Sequence, residues 1–213
     1  MKKPNITKED IEKTLNTCYE KSLSGIQNVS KPVSVMMDEY LEKYPSKDEA
    51  IKKFINNQLL KCTTSGFISG FGGFITMPVS IPANISSVLY VQIRMISALA
   101  YAGGYDLNSD EVQTFVYACL AGVSLNSIAK QFGLKLGSKL SVNLVKKIPG
   151  NVLIKINKAV GFRLLTKFGK TGLINLGKMI PAVGAGVCAG FDFAETKVIA
   201  NRAYKWFIAG DLS

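Results

Sequence analysis

The chain contains no histidine at any of its 213 positions. That removes the side chain that most often serves as a general base near neutral pH, and also the commonest nitrogen ligand for metals. Nucleophilic or acid–base chemistry would have to rest on isolated Cys, Asp or Lys residues, and no two carboxylates stand at a spacing that divides acid from base roles. The four cysteines, Cys18, Cys62, Cys119 and Cys188, lie far apart with no Cys-x-x-Cys pair. They read as small buried thiols in a reducing compartment rather than zinc ligands or a disulfide framework. The opening residues MKKPNITKEDIEKTL lack the apolar core that a secretory signal needs. A phosphate loop is missing too: residues 172–179 read G-x-x-x-x-G-K-Met where a hydroxyl is required, and residues 164–171 lack the first glycine. No catalytic residue, cofactor or metal is expected, and the chain reads as a non-enzyme.

Charge is scarce where apolar residues concentrate. Residues 62–93, CTTSGFISGFGGFITMPVSIPANISSVLYVQI, run for thirty-two positions without one charged side chain. Gly66, Gly70 and Gly73 fall there at near-helical intervals, the small-residue spacing that lets helix backbones approach closely. Pro78 and Pro82 divide the run into two arms. The first arm is short against the roughly 20 residues that cross a bilayer, and the second leads into Arg94, so a packed or re-entrant helical hairpin is expected rather than two spans. Residues 112–129 form a second charge-free run, expected as one central buried helix.

Acidic residues are what the C-terminal part lacks. Residues 130–213 carry fourteen Lys/Arg against three Asp/Glu, and residues 130–170 hold ten basic residues and no acid. Such an excess suits a polyanionic partner, and aromatics there are too few to interleave for base stacking, which ranks nucleic acid below an anionic membrane. From Lys130 the spacing predicts a basic amphipathic helix, with Lys135, Lys139 and Lys146 on one side and Leu136, Leu140 and Leu144 beside them. A second such helix after Pro149 and Gly150 places Ile156, Val160, Leu164 and Phe168 in an i, i+4 row, with Lys155, Lys158, Arg163 and Lys167 around it. Basic amphipathic helices of this kind lie in a membrane interface, apolar side down.

Helix starts are legible elsewhere. Thr7 precedes Glu9, Asp10 and Glu12; Ser46 and Glu49 form a capping box; Ser109 or Asn108 precedes Asp110 and Glu111. Val33, Met36, Met37, Tyr40 and Leu41 stand at helical spacing before Tyr44 and Pro45.

The segments TSGFISGFGGFITMPVSIPA (64–83), RMISALAYAGGYDL (94–107) and GFRLLTKFGKTGLINLGKMIPAVGAGVCAGFD (161–192) resemble the EcsC family across residues 35–208. The resemblance implies an all-helical protein, no assigned catalytic residues, and a loose tie to membranes, since the family is named for a partner of an ABC transporter operon. The expected architecture is an all-α, compact multi-helix bundle with glycine-rich, closely packed apolar hairpins: an N-terminal helical extension (1–34) and one domain (35–208). The expected function is peripheral association from the cytoplasm with an anionic membrane surface or a membrane protein. Arg94, Lys135, Lys139, Lys146, Lys155, Arg163, Lys167 and Lys178 are the expected contacts, and Arg94 with Asp192 the expected internal polar pair. The alternative is a soluble helical domain that holds a lipid-like ligand or a protein partner, as an immunity or transporter-accessory protein would.

Overall fold

A computed structural model describes residues 6–63, 83–133, 138–168 and 185–212. Among them are nine α-helices: α1 (Lys8–Ser24), α2 (Val33–Lys43), α3 (Lys47–Thr63), α4 (Ala83–Ala102), α5 (Asp110–Ala121), α6 (Leu125–Gln131), α7 (Val142–Val145), α8 (Gly150–Phe168) and α9 (Ala185–Ala203), the last followed by a π-helical turn, Tyr204–Ile208.

Local sequence chemistry sets the helix starts. Thr7 accepts from the Asp10 backbone N–H at 3.1 Å while the Asp10 carboxylate accepts from the Thr7 N–H at 2.9 Å, a reciprocal box at the start of α1. Ser46, Ser109 and Ser141 each accept from the N–H three residues on, opening α3, α5 and α7. α2 occupies the span that its apolar spacing predicts.

The core forms around α4. Every residue from Leu89 to Ala100 is buried, because α1, α2, α3, α5 and α9 all pack against this one helix. Its Ile85–Ala102 stretch is long and apolar enough to cross a bilayer, yet 78% of that stretch is buried inside the protein, as for a central core helix. The segment expected as an extension, 1–34, contributes α1 to the same body: Ile11, Leu15, Cys18 and Tyr19 are buried, and the Tyr19 hydroxyl donates to the Leu107 carbonyl at 2.7 Å. The glycine-rich arm of the expected hairpin, residues 64–82, lies outside the described residues.

Two sequence expectations are corrected. Residues 112–129 are not one helix but α5 and α6, bent by 120°. Gly122 stands at the break with φ +67°, a left-handed conformation costly to residues with a Cβ, and the Val123 N–H closes the turn on the Ala118 carbonyl at 2.9 Å. Nor does one basic helix run from Lys130 to Lys146. α6 stops at Gln131, Gly133 has φ +70°, and residues 138–140 pair with the C-terminal tail through Leu140 N–H to Gly210 O (2.7 Å) and Leu212 N–H to Ser138 O (2.9 Å). An extended backbone with partners of its own displaced the helix, and Ser141 then restarts a helix of only four residues.

Candidate membrane-facing surface and internal polar groups

α8 is a two-sided helix. Val152, Ile156, Val160 and Leu164 are buried at i, i+4 spacing, and Phe168 is half-buried. The opposite side carries Ile154, Lys155, Lys158 and Phe162, which at 100° per residue fall within about 100° of arc. All four are exposed; Ile154 keeps 59% of its surface in water and Phe162 73%, the largest value among the exposed large apolar residues described. Two bulky apolar side chains and two cations therefore share one outward stripe, on a helix without an acidic residue.

The remaining predicted contacts divide. Lys139 and Lys146 are exposed but lie on the pairing segment and at the end of α7, off the α8 stripe. Arg163 is exposed, and its Nη1 donates to the Gly122 carbonyl at 2.7 Å. Nη1 of Arg202 donates to Cys119 O at 2.6 Å, so two guanidinium groups satisfy carbonyls where α5 ends, at the negative end of its dipole. Lys167 is bonded to the Glu195 carboxylate and sits 4.6 Å from the Phe168 ring centroid, so it is engaged inside the fold. Lys135, Lys178 and the side chain of Asp192 lie outside the described residues, and with Asp192 the expected pair.

Arg94 is buried, 4% exposed, on α4. Its Nη2 donates to the Lys31 backbone carbonyl at 2.8 Å, on the connection between α1 and α2, and its Nε is buried with no hydrogen-bond partner. Four residues earlier, Tyr90 reaches the same connection by a 2.7 Å bond to the Ser30 hydroxyl. Burial holds the Arg94 guanidinium below its ordinary value, and Tyr90 offsets a part. Lys61, in the last turn of α3, is also held low, first by burial and second by the charge of Arg94.

Between α1, α5 and α8 runs a half-open groove of about 460 Å³. Its polar side chains bond one another: Asn16 Oδ1 accepts from Tyr117 at 3.0 Å and Gln113 at 3.4 Å, and Asn157 donates to Thr114 at 3.3 Å. Sequence reading missed this seam because its partners stand up to 101 residues apart. It also missed the α8 stripe, although Ile154, Lys158 and Phe162 at i, i+4, i+8 were a usable signal. Among the described residues no three His, Cys, Asp or Glu are grouped to hold a metal ion.

What the geometry defines is an all-α bundle around one buried central helix, with a basic, apolar stripe turned outward. The chain belongs to the EcsC protein family, whose model matches residues 2–207. That match takes in α1 together with the rest of the bundle. No curated protein and no solved structure matches the chain.

Proposed function

We propose that this is a non-enzymatic cytoplasmic protein that attaches peripherally to the inner face of a membrane, with the outer stripe of α8 lying on anionic lipid. The observation that carries this reading is the sharing of one solvent-facing arc by Ile154, Phe162, Lys155 and Lys158. A solvated helix side would carry the lysines without the exposed phenylalanine. Burying each large apolar side chain fully contributes about 1.5–3 kcal/mol, and each lysine near an anionic surface about 1 kcal/mol. The four together supply roughly 5–8 kcal/mol before the cost of immobilisation, enough for reversible attachment and far from the hold of a spanning helix. The surplus of cations in residues 130–170 adds longer-range attraction to an anionic surface. The described thiols, Cys18 and Cys119, are free, in keeping with a reducing compartment.

Flotation of the purified protein with vesicles of phosphatidylglycerol and of phosphatidylcholine, each at low and high salt, tests the reading. Co-flotation with the anionic vesicles that weakens as salt rises is expected. Recovery of all protein in the soluble fraction at low salt would sink it. A second reading, in which the bundle holds a lipid-like ligand, is favoured by the buried guanidinium of Arg94.

A further inference from the structure

We propose that Arg94 is the anchor of an internal anion site between α3 and α4, which takes the carboxylate or phosphate group of a small ligand. The inference deepens the lipid-like-ligand reading and is independent of the α8 stripe.

A guanidinium carries five N–H donors and a permanent charge. Buried charges in proteins are paired with an opposite charge, because losing water is costly and a neutral acceptor compensates only part of that loss. Arg94 departs from this pattern. Among the described residues its one hydrogen-bond acceptor is the neutral backbone carbonyl of Lys31, and its Nε is buried without a partner. Arg94 takes part in none of the ion pairs seen among the described residues, which join Lys8 with Glu12, Lys31 with Glu39, Lys52 with Asp48, and Lys167 with Glu195. A second cation, Lys61, stands near enough to feel the charge of Arg94. Arg94 itself carries the preference for an anion, because its buried charge has a neutral acceptor and a free N–H.

The neighbouring unpartnered groups have matching chemistry. Ser97 lies one turn beyond Arg94 on α4, and its buried hydroxyl has no partner. Gln58 lies one turn before Lys61 on α3, 1% exposed, with Nε2 unpartnered. α3 and α4 pack against each other, so these unpartnered donors belong to two neighbouring helices. Unpartnered buried donors beside a guanidinium suit an anion with two or more oxygens; Arg in particular binds such groups by two parallel hydrogen bonds. The fourth unpartnered atom, Gln92 Oε1, is an acceptor on the far side of α4, where Gln92 Nε2 bonds Thr196 at 3.0 Å, and takes no part.

The test is isothermal titration and thermal denaturation of the full chain with three probes: inorganic phosphate, decanoate, and phosphatidylglycerol vesicles. Saturable binding of phosphate or decanoate with a raised midpoint is expected, at least tenfold weaker in Arg94→Lys and lost in Arg94→Met. Should Arg94→Met fail to fold, Arg94→Lys decides alone, because it keeps the charge and loses the fork. Binding of phosphate assigns the site to a free oxyanion, and binding of decanoate alone assigns it to the head of an amphiphile; both support the proposal, whereas binding to vesicles alone, which the α8 stripe supplies, would overturn it. No saturable binding of phosphate or decanoate by the folded wild-type protein would overturn it as well. So would binding that appears only in Asp192→Asn, since Asp192 would then be the counter-ion of Arg94. A double variant, Ile154→Glu with Phe162→Glu, keeps the phosphate and decanoate response while losing flotation, which separates this site from the membrane stripe.

Discussion

Replacing Gly122 by alanine isolates one term in the stability of the bend between α5 and α6. The glycine has φ +67°, and an added Cβ would lie 3.0 Å from Nη2 of Arg202 and 3.2 Å from its Cζ and Nη1. Two costs follow, and they differ in size. Left-handed backbone costs an L-residue about 1–2 kcal/mol. The contact with Arg202 is less severe, because the group met is the tip of a long side chain that yields by a few tenths of an ångström. That tip is nevertheless fixed by its 2.6 Å bond to Cys119 O, and lengthening the bond gives back some part of the ~1–3 kcal/mol that a charged hydrogen bond contributes. The backbone term wins, and the sum is about 1–3 kcal/mol. For a chain of this size the melting midpoint falls by roughly 2–4 °C per kcal/mol. Urea denaturation followed by far-UV circular dichroism measures the loss, with Gly122→Asn as the comparison. Asparagine brings the same Cβ but tolerates the left-handed region, so it should lose less than alanine. Equal losses in the two variants would place the cost in the Arg202 contact, and a Gly122→Ala protein within about 0.5 kcal/mol of wild type would refute the reasoning.

Further outcomes follow from other buried groups. Tyr19→Phe removes the 2.7 Å bond to Leu107 O and strands a buried carbonyl, so stability falls by about 1–3 kcal/mol in urea titration; no change would mean that water replaces the hydroxyl. Arg202→Met removes the charged bond to Cys119 O and leaves that carbonyl the 3.3 Å bond from the Gly122 N–H, with a loss of about 1–3 kcal/mol that Arg202→Lys restores in part. Burial pushes the Cys119 thiol up from 9.0 to about 12 and that of Cys18 higher still. Raised values mean that the folded state keeps protons the unfolded chain releases, so this stability is fully present below pH 9 and is lost as pH rises from 9 through about 12. Each thiol adds a slope of about 1.4 kcal/mol per pH unit in that window, and Cys119→Ala should remove one of them from urea midpoints measured between pH 8 and 10. A midpoint flat across that range would contradict the burial of both thiols.

Much of the fold was legible because short-range chemistry decides it. Thr7, Ser46 and Ser109 each announce a helix that begins at the next residue, and the row from Ile156 to Leu164 gives the buried side of α8 at sight. Hydrophobicity misled where it was asked to count helices. The run 112–129 is apolar throughout, but one left-handed glycine turns it by 120°, and apolar content carries no information on φ. The segment after Lys130 misled differently, since its lysines and leucines do keep helical spacing. What stops the helix is pairing of residues 138–140 with a tail seventy residues on, which no local window contains. The same limit applies to the candidate site. The cation excess was plain, but which cations face outward depends on partners such as Gly122 for Arg163 and Glu195 for Lys167. Lys158 already reads as one of the cations around the buried row, but Ile154 and Phe162, four residues to either side of it, were missed although their spacing was legible.

The central claim is that the α8 stripe meets lipid, and Phe162→Trp reports on it directly. The chain has one native tryptophan, Trp206, which is already buried and gives a constant background. With phosphatidylglycerol vesicles at low salt, the emission of the new indole should shift to the blue and be quenched by brominated acyl chains, and both effects should recede as salt is added. Emission that stays that of a water-exposed indole, unquenched at saturating vesicles, would contradict the account.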